Sequence, residues 1–198
     1  MRKEFILFIF IALSMFSCQG EKGKSSVVNN DTIACNVLGV SLNDNPRIIS
    51  EKLTKGGYQW EETLNISGPS TIALKDTFSF SGVYFDHLYF DATNNHLNQI
   101  CISKECDSLW LAQDAYDEVC NKFKAKYSQF IVDKEYFYND QELNCLEFDD
   151  GKTHLFISLF HHKKEEISEF YDEERKHRAR EHWRVLIYYT PRNKVKNE

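Results

Sequence analysis

Residues 107–127 read DSLWLAQDAYDEVCNKFKAKY. Within them Ala112, Tyr116, Val119, Phe123 and Tyr127 follow one another at steps of four, three, four and four. That spacing draws one continuous apolar stripe down a helix. Asp107 or Ser108 can cap its start. Asp114, Asp117 and Glu118 come early and Lys122 and Lys124 late, which suits the helix dipole. A helix apolar on one side needs a partner surface, and the flanking sequence supplies strands.

Upstream, Val83 to Asp91 is rich in Tyr and Phe and reads as one strong strand, with Phe85 and Tyr89 on a shared face. Asn94-Asn95 turn the chain and Leu97 to Ser103 returns as a hairpin partner. Tyr58 to Ile66 and Thr71 to Leu74 are two further strands, separated by a Gly68-Pro69 turn. Downstream the strands are Phe130 to Tyr138, Glu142 to Asp149, Thr153 to His161 and Trp183 to Thr190. Asp150-Gly151 is the strongest hairpin turn in the chain. Leu155, Ile157 and Leu159 alternate with Phe156, Ser158 and Phe160, so both faces are largely apolar and the strand should lie inside its sheet. A shorter helix is expected at 46–55, with Asn45 as N-cap, Pro46 in the first turn and Gly56-Gly57 as the stop.

The order predicts an α+β fold, a short and a long helix packed on antiparallel sheet, arranged as a tandem helix–four-strand pseudo-repeat. The folding unit is expected at 35–192, followed by a tail at 193–198. Residues 163–182 hold six Lys/Arg and seven Asp/Glu. Asp172–Lys176 and Glu174–Arg178 are favourable i,i+4 pairs, so this insertion reads as a solvated, ion-paired helix.

The chain has 198 residues, of which 24 are Lys or Arg and 30 Asp or Glu, a formal net charge of −6. A nucleic-acid partner is not expected, because the basic face it requires is missing. With 42% hydrophobic and 14% aromatic residues the chain can build a core. Arg2 and Lys3 precede an uncharged run from Phe5 to Ser17, too short to span the roughly 30 Å of bilayer hydrocarbon but of the length of a signal-peptide core. Gln19 to Asp31 is Gly, Ser, Lys and Asn with almost no large apolar side chain, the composition of a tether. The tether is placed at 18–34.

The run ending Met15-Phe16-Ser17-Cys18 resembles the lipobox of bacterial lipoproteins. The resemblance implies a signal peptide at 1–17, cleavage before Cys18, a diacylglycerol on the Cys18 thiol, and a domain lipid-anchored to a bacterial membrane of the cell envelope, with the outer membrane expected and its periplasmic and surface sides both open. Five cysteines then remain, an odd number in a disulfide-permissive compartment. Cys101 and Cys106 are the nearest local pair for a bridge, and Cys120 reads as a buried hydrophobe on the helix. Gly39-Val-Ser-Leu before a short helix, Leu53, Gly56-Gly57-Tyr58, Phe80-Ser-Gly and the long hairpin leading to an aromatic helix are similar to small envelope lipoproteins of the SmpA/BLIP-like kind. That likeness implies protein binding or scaffolding and carries no catalytic residue across.

Nothing in the chain matches G-x-S-x-G, H-E-x-x-H, a Walker loop, G-x-G-x-x-G or an EF-hand loop. No catalytic residue, metal site or cofactor is assigned. A zinc site from His162, Glu166, His177 and His182 would require the charged segment to fold back, and His161 and His162 point to opposite faces of a strand. Most aromatics belong to the core. Phe80, Tyr84 and Trp110 are the candidate contacts for a partner protein or, alternatively, for a glycan or other small ligand.

Overall fold

The computed structural model describes residues 32–63, 70–135, 137–138, 141–142, 144–163 and 182–192. The expected leader with Cys18, most of the expected tether, the charged segment from 164 to 181 and the expected tail at 193–198 lie outside the described residues.

The first helix, α1, spans Pro46–Lys55 and is built as its sequence dictates. Asn45 Oδ1 accepts the Ile48 amide at 3.0 Å, Pro46 opens the first turn, and Ile49 and Leu53 are buried. Two strands follow, β1 at Trp60–Thr63 and β2 at Ser70–Leu74. Next come β3 at Phe78–Phe80, β4 at Val83–Phe85, β5 at His87–Thr93 and β6 at His96–Cys106. Helix α2 occupies Leu109–Tyr127 and runs through a 3-10 turn at Ser128–Phe130 into β7 at Ile131–Val132. The chain ends with β8 at Phe137–Tyr138, β9 at Gln141–Glu142, β10 at Asn144–Asp149, β11 at Thr153–His162 and β12 at His182–Pro191.

Eight strands make one antiparallel sheet in the order β1-β2-β5-β6-β12-β11-β10-β7. β3–β4 and β8–β9 form separate two-stranded ribbons. β6 and β12 meet at the centre, with Ile102 opposite Ile187, and β11 lies inside the sheet between β12 and β10. Helix α2 covers one face of the sheet over β6, β11 and β12. Its stripe of Ala112, Tyr116, Val119, Phe123 and Tyr127 is buried against Phe148, Leu155, Ile187 and Tyr189. Both hairpin turns form where the sequence places them. Asn94 and Asn95 take φ of 52° and 64°, the left-handed pair of a two-residue turn. Asp150 Oδ1 accepts the amides of Lys152 and Thr153, and Gly151 takes φ 77°.

Four expectations are corrected. Val83 to Asp91 is two strands, because the apolar parity changes at Asp86. Val83 and Phe85 are buried before it, Leu88 and Phe90 after it. An unbroken strand would turn one of these pairs out of the core. The chain kinks instead, the Asp86 amide donating to Ser103 O and its carboxylate accepting the Glu105 amide. Phe85 and Tyr89 therefore do not share a face. Phe130 to Tyr138 is likewise divided into the 3-10 turn, β7 and β8.

The Cys101–Cys106 bridge is absent, and both thiols are free. Both residues lie on the regular strand β6, five residues apart, so their Cα atoms are about 16 Å apart and their side chains leave opposite faces. Finally, the fold begins before residue 35. Ile33 is buried, its amide bonded to Asp150 Oδ2 at 2.6 Å, and the Tyr127 hydroxyl both accepts the Ala34 amide and donates to the Ala34 carbonyl.

Candidate functional site

The three aromatic candidates divide. Trp110 and Tyr84 are each 69% exposed. Leu109 and Leu111 flank Trp110 and are exposed as well, so the first turn of α2 presents three consecutive large apolar side chains to solvent. The buried stripe of the helix starts only at Ala112, one residue after this run. Ser108 stands in the N-cap position without a capping bond from its side chain. Tyr84 is placed at the same end of β6, where Lys104 Nζ donates to its carbonyl at 3.1 Å. The chain joins the fold at the other end of α2, through Ala34 on Tyr127. The sixteen residue steps from Leu111 to Tyr127 correspond to about 24 Å of helix. The apolar tip is therefore remote from the end of α2 where Ala34 meets Tyr127.

Phe80 is partly buried and packed against the core rather than exposed. Its ring lies 6.1 Å from Phe123, 6.4 Å from Phe85 and 6.4 Å from Tyr189. It does line a cavity of about 270 Å³ together with Phe123, Tyr127 and Tyr189, with Lys122 and Lys126 beside them. A second, wider cleft of about 600 Å³ is polar and lies between the Asn43–Asn45 loop and the Asn94-Asn95 turn.

The sheet face away from α2 carries the titratable groups, and sequence reading missed them as a set. Their signal is the period of two, which puts Arg184, His182, Glu105 and His87 on one side once the register is known. Arg184 is hydrogen-bonded to Glu105, and His87 and His182 approach the same carboxylate at 3.7 and 3.9 Å. Burial alone would raise the Glu105 carboxyl, but Arg184, then His182 and His87, outweigh it and hold the group below its usual value. Three strands away Glu147 is buried, with Oε1 2.7 Å from His154 Nε2, and Arg192 joins Asp149 beside it.

A carboxylate–imidazole pair can serve as a general base only with a nucleophile or substrate proton in reach. Among the described residues no hydroxyl or thiol is hydrogen-bonded to His154. Three of the thiols are poor nucleophiles here. Burial, with Asp44 nearby, pushes Cys35 up to about 12, and burial pushes Cys101 and Cys120 up to about 11. Of the four residues weighed for zinc, Glu166 and His177 lie outside the described residues. His162 and His182 are cross-strand neighbours with rings stacked 4.9 Å apart. Among the described residues no three His, Cys, Asp or Glu side chains gather as metal ligands, and no helix is long and apolar enough to cross a membrane.

No family model, curated protein or solved structure matches the chain.

Proposed function

We propose that this chain is an envelope lipoprotein, anchored through Cys18, whose domain binds another protein through the apolar tip of α2 and performs no catalysis. The observation that carries the reading is the exposed run Leu109-Trp110-Leu111, at the end of α2 remote from the tether. Trp is the side chain most often found at the energetic centre of protein interfaces. An anchor at one end and an apolar tip at the other suit a module that reaches from a membrane towards a partner. We also read the sheet as a tandem of two units. β1-β2-β5-β6 and β7-β10-β11-β12 each run from an edge to the centre in chain order, and each follows a helix. The two ribbons enter at different points of the two units, after β2 and after β7.

The test is site-specific photo-crosslinking in intact cells. A crosslinker at Trp110 should give a discrete adduct, lost when Leu109 and Leu111 become Ser, while one at Lys152 near the tether should not. Equal adducts from both positions, or none from Trp110, would sink the proposal. Anchoring is tested separately. Cys18→Ala should move the protein from the membrane to the soluble fraction, and unchanged membrane retention refutes the anchor.

A further inference from the structure

We infer that the polar cleft between the Asn43–Asn45 loop and the Asn94-Asn95 turn binds an uncharged carbohydrate, a segment of two linked sugar rings. This is independent of the anchor and of the apolar tip.

The cleft lies where the central pairing stops. The β6–β12 ladder ends with Ile100 opposite Tyr189, and Pro191, two residues further on, has no N–H with which to extend it. Both walls are held by the fold. On one side Asp44 Oδ2 accepts the Ser41 amide at 2.8 Å and Lys52 Nζ at 2.6 Å, and Asn45 Oδ1 accepts the Ile48 amide at 3.0 Å. On the other, Asn94 and Asn95 make the tight turn between β5 and β6, and Asn98 Nδ2 donates to Thr93 Oγ1 at 2.7 Å. Walls fixed in this way need little ordering when a ligand arrives.

The same bonds show which polar groups are committed. Asp44 Oδ2, Asn45 Oδ1 and one N–H of Asn98 are spent on the fold. Asn43, Asn94 and Asn95 are exposed, and among the described residues their side chains make no hydrogen bond. The turn does not account for the Asn94 and Asn95 amides, since it requires only positive φ, which Gly supplies equally. The cleft thus presents three uncommitted carboxamides, each with one acceptor oxygen and two N–H donors.

Charge narrows the class. Among the described lining residues the one carboxylate, Asp44, is paired with Lys52, and no Lys or Arg contributes. The one other titratable group there is His96, which is exposed. A nucleotide or other polyanion would find no cluster of cations to meet it. A sugar hydroxyl both donates and accepts, so adjacent hydroxyls can engage the oxygen and an N–H of one carboxamide. Leu42 and Leu97 are packed into the core, so little apolar surface remains for a hydrophobic ligand. At about 600 Å³ the cleft falls within the roughly 300–1,000 Å³ of small-molecule sites. That is more than one sugar ring fills, so the probes are disaccharides.

The experiment is an NMR titration of the isotope-labelled full chain with maltose, cellobiose and N,N′-diacetylchitobiose. At least one should give saturating shifts of the Asn43, Asn94 and Asn95 amides while the Trp110 indole stays still, with the same affinity at low and high salt. Asn43→Ala with Asn95→Gly should weaken binding about tenfold or more, the loss of two hydrogen bonds. The melting temperature should hold, because Gly keeps the left-handed φ of the turn. Should the pair of substitutions lower it, Asn43→Ala alone decides, with an expected loss of about three- to tenfold. No saturating shift with any of the three at millimolar concentration, shifts centred away from the cleft, affinity that falls with salt, or affinity unchanged in the deciding variant would each overturn the inference.

Discussion

Along β6 the side chains alternate between two environments. Ile100 and Ile102 face α2 and are fully buried, while Cys101 and Ser103 face the other way. β12 repeats the pattern, with Val185 and Ile187 towards the helix and Arg184 and Tyr188 away from it. The helix face is held by shape, through apolar side chains whose value lies in excluding water and filling volume. The opposite face is held by pairing, since Glu105, Arg184, Glu147 and His154 are at least half removed from water and each needs a partner. One sheet thus depends on two kinds of interaction, and they should fail differently.

The largest difference should come from truncation on the helix face. Ile187→Ala removes a side chain with no exposure at the central seam. It should cost about 2–5 kcal/mol, read as a lower urea midpoint at unchanged slope. A loss under 1 kcal/mol would show that the seam is loosely packed.

Next is the pairing face. His154→Ala leaves the Glu147 carboxylate, 4% exposed, without its closest partner. The expected cost is about 1–3 kcal/mol. Replacing both residues by Leu should recover much of it, because the penalty arises from the orphaned charge rather than from the missing contact. A double variant worse than His154→Ala would break the contrast between the faces.

A smaller effect should appear with pH. The folded Glu105 carboxyl lies below its unfolded value, chiefly because Arg184 outweighs the effect of burial. Its stabilisation is therefore complete above the unfolded value of about 4.3 and fades as pH falls through the folded one. Glu105→Gln should flatten the acid limb of a stability–pH profile and leave the neutral limb alone, as followed by chemical denaturation. An unchanged acid limb would remove Glu105 from the pairing account.

The smallest effect is expected at Trp110, which belongs to neither face. Trp110→Ala should change stability by no more than about 0.5 kcal/mol, read by chemical denaturation. A large loss of stability would mean that the tip is part of the core.

Much of this was legible in single residues. Asn45-Pro46 and the stripe from Ala112 to Tyr127 define two helices, because caps and periods are local. Asn94-Asn95 and Asp150-Gly151 define two turns for the same reason. The strand formed by Phe78–Phe80 was missed although Phe80-Ser81-Gly82-Val83 carries a turn signal. The break at Asp86 was readable as a change of parity between Val83/Phe85 and Leu88/Phe90, but a strand rich in Tyr and Phe looks apolar on either face. Exposure at Tyr84 and Trp110 against partial burial at Phe80 was not readable, since all three are aromatics beside a turn or a helix start.

The sequence by itself determined the α+β class, the helix positions, the hairpins and the uncharged run from Phe5 to Ser17 ahead of Cys18, all of them set by neighbours within a few residues. Only the tertiary structure decided that β6 meets β12, that Glu105 collects Arg184 and two histidines, that Cys101 and Cys106 stay apart, and that Phe80 encloses a cavity. Most of those outcomes depend on pairing between segments about eighty residues apart or more, as Glu105 and Arg184 are. Pairing across such a separation is set by which faces can be buried together, which no local pattern records.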